Sequence, residues 1–348
     1  MIAEYDIQPV LDFYRYPPVG DEDWRYTYPA AKVRAMETTM LSRAVLSEIA
    51  NAPDFRSAVE TLSSGEYAIA ADVTGPGLEQ MLLERRTAVR ELFAELMIDS
   101  EIVDMMRARE DFANMRLAIR RLVTERPMGL DYSNEGSVPA EQFEEILGQE
   151  NYDLLPEHLQ DAVEAAVLGY YEKKDIRRID YGIDRVEADR RVRRAMEIES
   201  EFCLSYARIL VDLTNIRTLL RLKLAERDEK EFFLPGGFVD TDKFAAGLAA
   251  GLENTAALFY ATPYYELLEE GVRYLRSEQS FLKLEQQCED YMMGFMKSSR
   301  QLTAGPQPVI AYFLMKEAEI RAVRMVLTGK RNGLSPKLML DRLGTWHD

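Results

Sequence analysis

Three carboxylates recur in this chain with polar or basic companions at fixed spacing, residue types that general acid–base chemistry employs. Asp111-Phe-Ala-Asn114-Met115-Arg116 returns 101 residues later as Asp212-Leu-Thr-Asn215-Ile216-Arg217. It returns again, 107 residues further on and more loosely, as Glu319-Ile-Arg-Ala322-Val323-Arg324. Two kinds of chemistry are open to such a set: proton transfer at an acidic site, or a buried polar clasp that fixes how helices lie against one another.

Helix geometry separates the two. With Asp212 at 0° on a helical wheel, Leu213 falls at roughly 100°, Ile216 at 40°, Leu219 at 340° and Leu220 at 80°. The first copy repeats the picture with Phe112, Met115, Ala118 and Ile119, and the third with Ile320, Val323, Val326 and Leu327. Each carboxylate therefore lies inside an apolar stripe, and each arginine, at roughly 140°, lies at its edge. Residues five apart do not face one another on a helix. A carboxylate in an apolar face needs hydrogen bonds or a countercharge. The economical partner is on a neighbouring helix, with the arginine of the same or an adjacent unit as a candidate. Breaking such a buried pair costs about 3–5 kcal/mol. One active site does not need three near-equivalent copies, so the residues Asp111, Asn114, Arg116, Asp212, Asn215, Arg217, Glu319 and Arg324 read as structural clasps, and no catalytic residue is assigned.

Other chemical motifs fall away on spacing. Thr328-Gly329-Lys330 is flanked by Arg324 and Arg331 where a phosphate loop needs glycine and Ser/Thr. There is no G-x-G-x-x-G and no G-x-S-x-G. His158 directly follows Glu157, which is not the Glu-x-x-His spacing of helical di-iron sites. His347 is penultimate. Cys203 and Cys288 make neither a disulfide framework nor a metal spacing, and suit a reducing compartment. No metal and no cofactor is expected. Glu144-Glu145 and Glu269-Glu270 read as solvated faces, and the sixteen methionines chiefly as core filler.

The repeat extends beyond the phrase. Gly136, Val138, Phe143 and Leu147 return as Gly237, Val239, Phe244 and Leu248, all at an offset of 101. After the third copy come Gly333-Leu334-Ser335-Pro336, Met339 and Leu343, one residue shorter. A weaker fourth copy lies near the N-terminus, where Val33-Arg34 stands for the phrase and Pro53 to Leu62 for the second element. Leu62 and Tyr67 match Leu147 and Tyr152 at a shared offset of 85.

The elements that carry these residues are predicted to be almost entirely helical. Prolines and glycines cluster at a few points, among them Pro53, Gly75 to Gly77, Pro127, Gly136 to Pro139, Pro235 to Gly237, Gly305 to Pro308 and Gly333 to Pro336. Between them run long stretches of helical spacing: Leu78–Val123, Pro263–Arg300 and Val309–Leu327. Asp175–Asp228 holds no proline and one glycine, and reads as one very long helix or two in close succession. Starts are marked at Val138-Pro139, Asp240 to Asp242 and Ser335-Pro336. No run alternates as a strand does. The expected division is an aromatic, proline-rich arm at 1–27 and helical repeats at 28–126, 127–230 and 231–348. The arm, with Tyr5, Phe13, Tyr14, Tyr16, Trp24 and Tyr26, either packs on the helical body, the favoured reading, or serves a partner.

Composition narrows the partners. Of 348 residues, 47 % are apolar, enough for a large core, and the net charge is −17, which argues against nucleic acid and against docking on anionic lipid. The N-terminus lacks the basic and apolar regions of a signal peptide. No apolar stretch approaches the roughly 18 residues of a spanning helix, so membrane association is expected only through other proteins.

Tyr26-Thr-Tyr28-Pro-Ala-Ala-Lys32-Val33-Arg34-Ala35-Met36-Glu37, Leu62 to Tyr67, and Tyr312-Phe-Leu-Met-Lys316-Glu-Ala-Glu319-Ile-Arg-Ala-Val-Arg324 with Gly329-Lys330 and Gly333-Leu334 resemble segments of a known family. So do the phrases at Asn114 and Asn215. The family is that of the C subunits of bacterial and archaeal V-type (A-type) ATPases and ATP synthases, equivalent to the d subunit of the eukaryotic V-ATPase. The resemblance runs from about Tyr26 to the end; the arm before Tyr26 and Ala322 in place of asparagine depart from it. It implies an all-α protein of three similar subdomains arranged as a pseudo-threefold funnel. It implies a non-catalytic rotor adaptor on the cytoplasmic face of the membrane. Its partners would be the central-shaft subunits of the soluble ATPase sector and the proteolipid ring. The alternative from the residues themselves is an all-helical repeat scaffold binding soluble proteins only; an all-helical enzyme is the third class.

Overall fold

The structure is a computed structural model, and it describes residues 11–62, 65–70, 74–124 and 132–344. Expectations for Tyr5, for Pro127 with the 126/127 boundary, for His347 and for the side chain of Glu144 lie outside the described residues. The described residues are all-helical. The helices are α1 Thr27–Glu37, α2 Arg43–Asn51, α3 Phe55–Thr61, α4 Gly75–Leu96, α5 Ser100–Thr124, α6 Ala140–Gly148, α7 Glu157–Lys173, α8 Arg177–Glu197, α9 Glu201–Leu224, α10 Thr241–Ala249, α11 Tyr265–Glu278, α12 Leu282–Ser298, α13 Pro306–Arg331 and α14 Pro336–Arg342. No strand occurs among the described residues.

Local chemistry sets most of the boundaries. The proline-free stretch Asp175–Asp228 forms two helices, α8 and α9. The break needs no proline: Glu199 takes a left-handed φ of 56° and the Ser200 side chain accepts the Cys203 N–H, capping α9. The same device divides Pro263–Arg300, where Gln279 is left-handed (φ 52°) between α11 and α12. Leu78–Val123 is divided at Met97 to Asp99, whereas Val309–Leu327 lies within the single helix α13. Ser335 caps α14 by accepting the Leu338 N–H at 3.3 Å.

The chain groups into two compact units, Asp99–Ala245 and Asp12–Ile98 with the chain from Ala246 onward. In the first, α7 and α8 form a hairpin on which α5 lies, with α6 packed on α5. Phe112, Met115 and Ile119 of α5 meet Phe143 and Ile146 of α6, Leu159 and Val163 of α7, and Ile179 and Ile183 of α8 in one core. Full burial of each such side chain contributes about 1.5–3 kcal/mol.

In the second unit, α13 is the axis. It is buried continuously from Gln307 to Ile320, on all sides, because α1, α2, α3, α4 and α12 pack around it. Phe93 stacks on Phe313 at 4.3 Å between ring centroids, and Arg90 meets Glu317 at 2.8 Å. The aromatic arm is partly spread on this unit. A Cβ on Gly294 of α12 would lie 1.8 Å from the Tyr16 hydroxyl, so any side chain there would displace that ring. Tyr291 Oη donates to the Arg15 carbonyl (2.6 Å), and Gln307 Nε2 donates to those of Val19 and Asp21. Tyr14 and Trp24 remain exposed, at 94 % and 65 %.

Candidate functional site: the repeated carboxylate clasp

All three carboxylates of the repeated phrase are fully buried, as their place in the apolar stripe requires. Backbone N–H groups of the segment after their own helix donate to both Asp111 and Asp212. Asp111 Oδ1 accepts from Ser137 N (2.8 Å) and Val138 N (3.1 Å), and Oδ2 accepts from Ser137 Oγ (2.6 Å). Asp212 accepts from Phe238 N at 3.0 Å and Val239 N at 3.1 Å. The asparagines do the complementary work. Asn114 exchanges both bonds of the Ser133 peptide group (2.7 and 2.8 Å), and Asn215 both of Leu234 (2.8 and 2.7 Å). Donors and acceptors keep the offset of 101, so the two clasps are the same object built twice.

The glycine of each copy has a reason. A Cβ on Gly136 would stand 2.1 Å from Asp111 Oδ1, and one on Gly237 would stand 2.1 Å from Asp212 Oδ1. Glycine is required there for close approach to the carboxylate, not for a positive φ. Beyond each clasp a nine-residue helix begins, α6 or α10, and its fourth residue, Phe143 or Phe244, plugs the core at 0 % exposure.

The third copy closes differently. Glu319 Oε2 accepts from Leu41 N (2.6 Å), 278 residues earlier in the chain. Leu41 stands two residues before α2, as Val138 stands before α6 and Val239 before α10. Helix α2 also has nine residues, and its fourth, Leu46, is fully buried. So α2 takes the place in the third clasp that the order of the repeat gives to α14. Thr39 stands where the other copies have glycine, and the extra methylene of glutamate gives the carboxylate longer reach. Ala322 has no amide to offer. Instead Glu319 Oε1 accepts from Tyr67 Oη (2.7 Å) and Lys316 Nζ (2.6 Å), and Lys316 also meets Glu66 at 2.7 Å. Burial and the Glu319 charge push the Tyr67 hydroxyl far above its ordinary range, which keeps it a donor.

The expected arginine partners are a correction. Arg116 pairs across α5–α8 with Asp184, with Asp180 (3.4 Å) and with Glu187 (3.8 Å), not with Asp111. Arg324 pairs with Glu79 of α4 at 2.8 Å, on the surface, not with Glu319. Arg217 is half-buried at the edge of its stripe. The physical reason is direction: at five residues' remove the arginine points away from the stripe, whereas loop amides can be brought onto the acid. Sequence reasoning missed Lys316, Tyr67 and Leu41. The signals for the first two were Lys316, one turn before Glu319, and Tyr67 beside Glu66.

Burial raises the pKa of Asp111 against the lowering effect of its Ser137 and Val138 bonds, and all three carboxylates are closed to solvent. Among the described residues no group of three His, Cys, Asp or Glu could hold a metal ion, and no helix is long and apolar enough to cross a membrane.

An all-helical chain with a repeated long helix, clasped to the short helix that follows it, matches the ATP synthase (C/AC39) subunit family over residues 29–342. The chain belongs to that family. It is similar to the C subunit of the V-type sodium ATPase of Enterococcus hirae, with 22 % identity over 91 % of this chain and 97 % of the relative. It is also similar to the C subunits of the A-type ATP synthases of Pyrococcus abyssi (22 %, covering 93 % and 92 %) and of Thermococcus onnurineus (25 %, covering 92 % and 91 %).

Proposed function

We propose that this protein is a non-catalytic coupling component of a V-type (A-type) rotary ATPase. It links the central shaft of the soluble ATP-hydrolysing sector to the proteolipid ring of the membrane sector, in the service of proton or sodium transport. The observation that carries this reading is the family match across residues 29–342, joined to full-length relatives named as the C subunits of a sodium ATPase and of ATP synthases. The clasps support it physically. Torque transfer needs a body that does not yield, and buried backbone-to-carboxylate bonds stiffen the junction between each long helix and the next segment. In this reading the three sequence repeats, 28–126, 127–230 and 231–348, surround a pseudo-threefold axis as a funnel. The protein sits peripherally on the cytoplasmic face, held by protein contacts and not by insertion in the bilayer.

The test is reconstitution. The purified chain is offered at low salt to the shaft subunits and, separately, to the detergent-solubilised proteolipid ring. Retention of both is the expected result. Retention of neither by the folded protein overturns the assignment and leaves a helical scaffold for soluble partners.

A further inference from the structure

Between the first half of α5 and the last half of α8 lies a cavity of about 200 Å³, separate from the clasp bonds. Four arginines line it, Arg109 from α5 and Arg190, Arg191 and Arg194 from α8, against three carboxylates, Asp104, Glu187 and Glu197. In a chain of net charge −17, a cavity with a cationic excess is against the trend.

Two of the α8 arginines are already engaged. Arg191 is held by Glu187 and Arg194 by Glu197 at 2.9 Å. Arg190 is not ion-paired with any carboxylate among the described residues. Burial, and then the neighbouring charges of Arg194 and Arg193, lower its pKa against the opposing pull of Glu197 and Asp111.

We propose that this cavity is an anion site in which Arg190 receives a tetrahedral oxyanion, either free phosphate or the phosphate end of a nucleotide. A planar guanidinium presents two parallel N–H groups that match two oxygens of such an anion, and charge-assisted bonds of this kind are the strong ones. The cavity volume accommodates the anion together with water or an ester substituent. Arg109 and Arg194 add cationic wall.

A reporter stands beside it. His158 lies against Phe112, a wall residue, at 5.5 Å between ring centroids, and its Nε2 is buried without a hydrogen-bond partner. Burial, and then the Arg190 charge, hold its pKa down to about 4. An anion that neutralises Arg190 raises it. The chain has two histidines, so the imidazole NMR signals are few and assignable.

The experiment titrates the full-length protein with sodium phosphate, and in a second arm with ADP, against sodium chloride at matched ionic strength. Heat of binding and the His158 titration curve are both read. Saturable binding with an upward shift of the His158 pKa is expected. ADP binding tighter than phosphate identifies the nucleotide source, and phosphate binding alone identifies the free anion. Arg190→Gln should weaken binding roughly tenfold or more, the loss of one charge-assisted hydrogen bond, with circular dichroism and Tm unchanged. Arg324→Gln, on another helix, should bind as the parent does. If Arg190→Gln folds poorly, Arg190→Lys, which keeps the charge and loses the planar fork, supplies the comparison. Binding no better than chloride in both arms, or binding by the Arg190 variant equal to that of the parent, overturns the proposal.

Discussion

Asparagine in place of Asp212 keeps the shape of the side chain and removes one acceptor and the charge. Asp212 is fully buried, and its two oxygens each accept one backbone N–H, from Phe238 and Val239. The asparagine oxygen can serve one of these; its amide NH₂ then faces the other, donor against donor. The loss joins a charge-assisted hydrogen bond, about 1.5–3 kcal/mol, to a buried donor left unmade, about 1–3 kcal/mol. Together these make roughly 2.5–6 kcal/mol, a range that brackets the roughly 3–5 kcal/mol usual for breaking a buried charged pair. That is a large share of the roughly 5–15 kcal/mol by which a folded domain is stable. Urea denaturation should show a markedly lower midpoint, and amide hydrogen exchange should localise the change: Phe238 and Val239 lose protection first. A variant with the parent midpoint and still-protected amides at both positions would refute the claim that this carboxylate holds the loop. A variant of normal stability that nevertheless abolishes a turnover would return the acid to catalysis.

Other consequences are as direct. Gly237→Ala places a Cβ on the Asp212 carboxylate and should destabilise by about 1–3 kcal/mol through forced backbone displacement; Gly148→Ala, at an open position, should not, and thermal unfolding of the two makes the comparison. Lys316→Met strips a buried cation from Glu319 and should cost about 3–5 kcal/mol in the same assay. Arg324→Ala, which removes a pair exposed at 57 % and 42 %, should change stability by less than about 1 kcal/mol. His158 carries a pH signature. Its folded pKa, about 4, lies below the ordinary 6.5, so its contribution is full above pH 6.5 and is lost as pH falls toward 4. The loss, reduced by solvent screening of the partly exposed ring, is less than about 3 kcal/mol, and His158→Gln should flatten that part of the stability–pH curve.

How much is legible in the sequence differs by level. Helices are readable because their signal is local. The apolar stripe recurs every three to four residues, and capping serines such as Ser335 sit next to the turn they cap. The burial of Asp111, Asp212 and Glu319 follows from the same wheel. Breaks without proline are not readable. Glu199 and Gln279 adopt left-handed backbone, and nothing in a glutamate or glutamine announces it.

The sequence by itself determined an all-helical chain with a recurring phrase, an acid turned into the core, and a glycine and an aromatic plug at constant offsets. The tertiary structure decided what meets the acid. Backbone amides carry no residue identity, so Phe238 and Val239, or Ser137 and Val138, could not be recognised as partners from their side chains. The third clasp joins Glu319 to Leu41, and a bond across 278 residues exists only once packing has brought the two parts of the chain together. Periodicity is a property of neighbours along the chain, whereas satisfying a buried charge is a property of neighbours in space.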